Sequence, residues 1–116
     1  MAKQDRLDKL QELVAHFDEA MLVTHAPDGA LRGRPMLVAG IEDEVDIWFI
    51  TAADSGKVGE ILRDERVLVA MQGDRRYLSL TGRAVVVPDQ GKLNQLWQPR
   101  HDPWFEHGVD DPRAVL

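Results

Sequence analysis

The chain has 116 residues and a mass of 13.1 kDa, enough for one domain with one ordinary core and too little for a second. Its 14 Lys and Arg against 20 Asp and Glu leave a formal charge of −6, which argues against a general nucleic-acid footprint, because phosphate backbones are gripped by net basic faces. Cysteine is absent, which excludes disulfides, thiolate metal sites and cysteine nucleophiles, and neither a signal region in the charged start Met1–Gln11 nor an apolar run of membrane-spanning length is present, so a cytoplasmic, non-membrane protein is expected.

From Asp5 to Phe17 the apolar residues Leu7, Leu10, Val14 and Phe17 recur at helical spacing, which predicts an amphipathic helix. Ala20–Thr24 is a short apolar strand, Pro27-Asp28-Gly29 supplies turn chemistry, and the chain resumes in a second strand from Leu31 to Ile41. Strict alternation places Leu31, Leu37, Ala39 and Ile41 on one side of that strand and Arg32, Arg34 and Met36 on the other. The acidic run Glu42-Asp43-Glu44 reads as a solvated turn, with Asp46 helping to keep it soluble, and Val45–Thr51 reads as one buried strand.

Asp54 or Ser55 then caps a helix to about Asp64, with Val58, Ile61 and Leu62 as its apolar stripe. A strand over Arg66–Gln72, a turn at Gly73-Asp74 and a long strand over Tyr77–Val87 follow; past Arg83 the valines are apolar on both faces, one for the core and one for a second subunit or another element. Asp89 caps a helix through Leu93, Leu96 and Trp97. The stretch Gln98–Pro112 is mostly irregular, and Pro112 suits the first position of a final helical turn. Strands joined by hairpin turns, with spaced helices and no regular strand-helix-strand alternation, predict an α+β fold: a mostly antiparallel small barrel or half-barrel.

Chemistry is suggested at two places. In Leu31-Arg-Gly-Arg-Pro-Met36, Gly33 weakens the strand and Pro35 cannot donate to a ladder, so backbone can approach a ligand there; a plain edge strand with two surface arginines has the same sequence. The second place is Trp48-Phe-Ile-Thr51 followed by a helix start with Ser55 at its cap and Lys57 in its first turn, where free amides and the helix dipole favour an anion. Arg34 would add a two-pronged donor suited to phosphate. Alone each is an ordinary feature; together they point to a phosphorylated ligand.

Other residues carry less. His101, Asp102, Glu106, His107, Asp110 and Asp111 crowd one loop, but their spacing matches no metal site and solvated loop residues are expected. His16 and His25 read as surface or capping residues, and Ser55 and Ser79 lack a recognisable His and acid framework for nucleophilic catalysis.

Six segments in order, "MLVT" at 21–24, "RGRPM" at 32–36, "WFIT" at 48–51, "DSGKV" at 54–58, "LSLTGRAVVVPD" at 78–89 and "LW…PWFEHGVDDP" from 96 to 112, resemble the general stress protein branch of the pyridoxamine 5′-phosphate oxidase-like flavoproteins. The resemblance implies a split β-barrel that binds FMN with flanking helices, and a homodimer with cofactor sites at the subunit interface. It also implies roles: Arg34, Ser55 and Lys57 on the FMN phosphate; Arg34, Pro35 and Met36 lining the ring through their backbone; Phe49, Ile50 and Thr51 along the other side, with Thr51 hydrogen-bonding the cofactor. Gln72 would reach the flavin from the other subunit, and Trp104 with Phe105 would close over it from the partner chain. Trp97, Trp104 and Phe105 read equally as core or interface aromatics.

Set against such proteins, the sequence is expected to be a single domain over residues 1–116 that lacks the usual C-terminal extension. The implied activity is oxidoreduction between a reduced donor and a small-molecule acceptor, with no catalytic side chain identified and no metal. The alternatives are a non-catalytic flavin binder or sensor, and a split barrel that takes a deazaflavin, haem or pyridoxal phosphate.

Overall fold

A computed structural model of the chain describes residues 3–42 and 45–116; the expected turn at Asp43 and Glu44 lies outside the described residues. Helix α1 (Lys3–Ala15) ends before Phe17, whose N–H closes a turn on the Val14 carbonyl at 3.0 Å. That turn swings Phe17 inward, so Val14 and Phe17 are both buried at one end of the sheet. Strand β1 (Glu19–His25) then forms a hairpin with β2 (Leu31–Glu42), running in register from Glu19 opposite Leu37 to His25 opposite Leu31. Gly29 takes φ +85°, which a side chain would resist, and the Asp28 carboxylate accepts the Ala30 N–H at 3.0 Å.

Five antiparallel strands make a curled sheet in the order β3-β2-β1-β5-β6, a half-barrel with helices on its flanks. Here β3 is Asp46–Phe49, β5 is Arg66–Gly73 and β6 is Arg76–Arg83. The two-residue turn between β5 and β6 holds Asp74 at φ 47° and Arg75 at φ 63°, the left-handed pair that a tight hairpin requires.

Strict alternation fails within β2. The ladder with β3 shifts between Val38 and Gly40, so that Ala39 is an extra residue, a β-bulge. Beyond it Ile41 packs with Met36 and Val38 in the cluster inside the half-barrel, instead of sharing a side with Leu37 and Ala39 as the alternation predicts. Ala39 joins a second cluster with Ile50, Leu93, Phe105 and Leu116. Gly40 faces the same way: a Cβ there would sit 2.9 Å from Leu96 Cδ2. One strand thereby serves two cores.

The predicted strand over 45–51 is two strands. β3 ends at Phe49, and β4 (Thr51–Ala52) leaves the main sheet to pair with β7 (Ala114–Val115). Strand β6 stops at Arg83, four residues before the predicted end, because β5 begins at Arg66, opposite Arg83, and offers no ladder partner further on. Residues 84–87 continue without sheet pairing, held by Ala84 N–H on the Glu65 carbonyl and Val87 N–H on the Leu116 carbonyl, both 2.8 Å. Val85 is exposed, so no core takes that valine.

Helix α2 (Gly56–Arg63) starts after Ser55, and α3 (Gln90–Leu96) starts after Asp89, whose carboxylate accepts the Lys92 N–H at 3.0 Å. Lys92 fixes α3 to the sheet by pairing with Glu42 and standing 5.1 Å from the Trp48 ring centroid. The stretch Gln98–Pro112 contains 3₁₀ turns at Pro99–Trp104 and Gly108–Asp110. The final turn expected at Pro112 forms as a single turn, closed by the Ala114 N–H on the Asp111 carbonyl at 3.0 Å, and does not go on as a helix. The Asp111 carboxylate accepts the Arg113 N–H at 2.9 Å and turns the chain into β7. Asp111 is thus buried, as is His101, against the expectation of a solvated loop. Among the described residues no helix is long and apolar enough to cross a membrane.

Two outcomes follow from these turns. Hydrogen bonds from the Arg113 side chain and backbone lower the Asp111 carboxyl from 3.8 to about 2. A depressed carboxylate stabilises the fold fully above its unfolded value and loses that contribution as pH falls through the folded one. Asp111→Asn should therefore melt roughly 5 °C below the parent at neutral pH, with the gap closing between pH 3.8 and about 2, as read by thermal denaturation across pH. Arg75→Gly should raise stability by about 1 kcal/mol, measured by urea unfolding, because glycine meets no steric penalty at positive φ.

Candidate functional site

The break between β3 and β4 opens a cleft. Its volume is about 380 Å³, and it is walled by Pro35, Met36 and Leu37 of β2, by Ile50, Thr51 and Ala52, and by His101, Trp104 and Phe105 from the first 3₁₀ turn. Glu19 stands on its rim and Lys57 of α2 is its cation. The walls are mostly apolar and come from extended backbone on two sides, a shape suited to a flat ligand. Seven residues expected around the cofactor line it together, Pro35, Met36, Ile50, Thr51, Lys57, Trp104 and Phe105, whereas Arg34 and Ser55 are not among its lining residues.

Trp104 is 64% exposed where it lines the cleft of its own chain, whereas Phe105 lines the cleft from its place in the second core, where it is buried. Trp97 packs there also, 5.3 Å from the Phe105 ring and 5.5 Å from His101. Phe49 lies outside the cleft. It lines a hollow of about 370 Å³ in the half-barrel, which shares Met36, Thr51 and Lys57 with the cleft. Gln72 is exposed in a shallow groove with Met21, Ala70 and Tyr77, which adjoins the cleft through Glu19 and Pro35.

Lys57 makes no ion pair among the described residues, and burial, followed by the charge of Arg34, holds its ammonium below the ordinary lysine range. Ser55 occupies the N-cap position of α2 without capping it: its hydroxyl is buried and finds no hydrogen-bond partner among the described residues. An unspent hydroxyl, a cation without a counter-charge and the start of an eight-residue helix stand together. An anionic group of a ligand would satisfy all three.

Arg34 is more constrained than the sequence suggests. Its Nη1 donates to Thr24 Oγ1 at 2.6 Å and its Nη2 to Glu60 Oε1 at 3.0 Å. The Thr24 hydroxyl donates to the same Glu60 oxygen at 2.7 Å, and Arg32 adds an ion pair at 3.6 Å. Thr24 is 0% exposed and Glu60 4%. Hydrogen bonds from Thr24 and then Arg34 keep the Glu60 carboxyl ionised, below the usual glutamate range, against its burial.

Sequence alone marks neither Glu60 nor Thr24 as a buried polar residue, and it places His101 in a solvated loop, whereas all three are buried. The apolar stripe of α2 was expected to include Leu62, which is exposed, while Glu60 turns inward. A glutamate three residues beyond Lys57 carries no mark of burial until its partners on β1 and β2 are seen. His101 Nδ1 accepts the Gln98 N–H at 3.1 Å, which leaves the ring proton on Nε2. Burial, then Arg100, lowers this imidazole, so it is neutral at pH 7.

The sequence matches the family model described as "Pyridoxamine 5′-phosphate oxidase like" over residues 5–116. Among solved structures, General Stress Protein 26 from Bacillus anthracis superimposes with a TM-score of 0.83 at 20% identity, over 95% of this chain and 84% of that one. A protein related to general stress protein 26 (pyridoxinephosphate oxidase family) from Clostridium acetobutylicum gives 0.79 at 20%, over 98% and 82%. The general stress FMN/FAD binding protein from Xanthomonas citri gives 0.78 at 24%, over 97% and 81%. At such identities the likeness establishes the fold, the split barrel of these neighbours. No curated protein is significantly similar in sequence.

A hydroxyl buried without a partner costs the fold something. Ser55→Ala should therefore keep the melting temperature of the ligand-free protein or raise it by about 2 °C; a clear fall in a thermal melt would mean that the hydroxyl is satisfied within the chain.

Proposed function

Because this chain belongs to the pyridoxamine 5′-phosphate oxidase-like family, we propose that it is an FMN-binding oxidoreductase whose cofactor lies in the cleft between β2, β4 and the Trp104 turn. The observation that carries this reading is the pairing of flat apolar walls with Lys57, which lines the cleft from the start of α2, two residues after the unpartnered Ser55 hydroxyl. FMN has that form, a planar ring system with a phosphate at the end of a flexible arm. The phosphate would be held by Lys57, Ser55 and the first amides of α2, with Arg34 behind them.

When bound, a flavin supplies reversible two-electron chemistry at its ring. The chain's own contribution is to bind, orient and exclude water. Pro35 lacks an N–H and Met36 follows it on β2, so that wall offers apolar contact with few competing donors. Thr51 brings a hydroxyl to the opposite wall. Trp104 covers the mouth, where its exposure in the free chain leaves apolar area for a ring to bury. A reduced donor and a small acceptor would approach from that side.

We also propose a homodimer. The outer face of the sheet around Met21, Pro35, Ala70 and Tyr77 is largely apolar, with Glu19 as the charged residue of its groove, and Tyr77 is 69% exposed. A second copy on that face would bring Gln72 beside a cleft.

The test is a visible absorption spectrum of the purified protein with FMN, followed by gel filtration and an assay of NADH and NADPH oxidation. Flavin co-eluting with a dimer-sized peak and steady turnover is the expected result. Retained flavin without turnover would make this a flavin carrier, and no retained flavin would overturn the reading. Lys57→Ala should weaken FMN binding by about tenfold to a hundredfold, the worth of one charge-assisted hydrogen bond, and leave riboflavin, which has no phosphate, unchanged.

A further inference from the structure

A guanidinium has five N–H donors, and how they are spent determines what is left for a ligand. Nη1 of Arg34 faces Thr24 Oγ1 at 2.6 Å and the carbonyls of Arg32 and Leu22 at 3.2 and 3.4 Å, more acceptors than it has hydrogens. Nη2 gives one bond, to Glu60 Oε1 at 3.0 Å. Nε takes part in none of these bonds. The network therefore consumes one side of the fork and leaves the Nε–Nη2 edge, the edge with two parallel donors that matches a phosphate.

The charges require such an arrangement. Arg34 and Lys57 are close enough for Arg34 to depress the Lys57 ammonium. Unless something pins it, a half-buried guanidinium next to another cation turns toward water, and the pin here is a carboxylate that is 4% exposed on the same helix as Lys57. Glu60 also reaches β1 through Thr24, so α2, β1 and β2 meet at its carboxylate.

We propose that Glu60 is a positioning residue for phosphate-monoester recognition: it orients Arg34 so that the Nε edge of the guanidinium serves a phosphate held beside Lys57. This rests on reading the Lys57 end of the cleft as the phosphate end. Glu60 carries a negative charge close to the anion it helps to hold, and that conflict gives the test a sign. A carboxylate that only repels would, when neutralised, improve phosphate binding, whereas one that positions Arg34 would, when neutralised, weaken it.

The experiment compares FMN with riboflavin binding, by quenching of flavin fluorescence, in the parent, Glu60→Gln, Thr24→Val and Lys57→Ala proteins. The ratio of the two affinities isolates the phosphate, because general damage to the cleft moves both ligands alike. Glu60→Gln should lower the FMN-to-riboflavin ratio by about tenfold, as expected for loss of one charge-assisted contact. Thr24→Val keeps the shape, removes the hydroxyl from the network and should lower the ratio in the same direction, so it carries the test if Glu60→Gln fails to fold. An unchanged or increased ratio in the folded variant overturns the role of Glu60. A parent that binds both flavins equally, or a ratio unmoved by Lys57→Ala, overturns the phosphate reading itself.

Discussion

The β-bulge at Ala39 is the constraint from which the rest of the architecture follows. A regular strand has two faces and can commit each to one environment for its whole length. By inserting one residue, β2 sends Met36, Val38 and Ile41 into the half-barrel while Ala39 and Gly40 meet α3 and the C-terminal turns. The backbone of Val38 finds partners outside the strand, the Asp18 carbonyl for its N–H at 2.8 Å and the Arg100 guanidinium for its oxygen. The second core therefore sits beside the first, and the cleft is what remains between them where β3 gives way to β4.

The polar interior obeys a different rule. Burying a carboxylate is tolerable only when its lone pairs and its charge are both answered. Glu60 has a hydroxyl, one guanidinium in contact and a second nearby. Lys57 and Ser55, a few residues earlier on the chain, are left unanswered. The contrast between a satisfied cluster and an unsatisfied one a turn away is a stronger pointer to a ligand than either cluster alone, because the chain has shown that it can pair its own buried charges.

Much of this was legible in the sequence. The Pro27-Asp28-Gly29 hairpin, the Asp89 cap and the stripe of α1 are local, and local chemistry decided them. Pro35, Met36, Ile50, Thr51, Lys57, Trp104 and Phe105, which the resemblance names from segments far apart in the chain, line one cleft. What could not be read was non-local. The face reversal after Ala39 needs a partner strand to define the bulge, and the end of β6 at Arg83 is set by where β5 begins. The burial of Glu60 depends on Thr24 and Arg34, and that of Asp111 on a turn closed by Arg113. A carboxylate looks the same in sequence whether solvated or enclosed.

The pairing of β4 with β7 also has a consequence for the order of assembly. Thr51 and Ala52 form one wall of the cleft, and their strand partners are Val115 and Ala114. During synthesis the hairpins of the half-barrel can form as soon as they emerge, since each closes a short loop. The wall cannot, because its partner strand is made more than half a chain later. A nascent chain can thus hold most of its sheet while lacking a finished cleft, so closure of the cleft wall is a late event in folding.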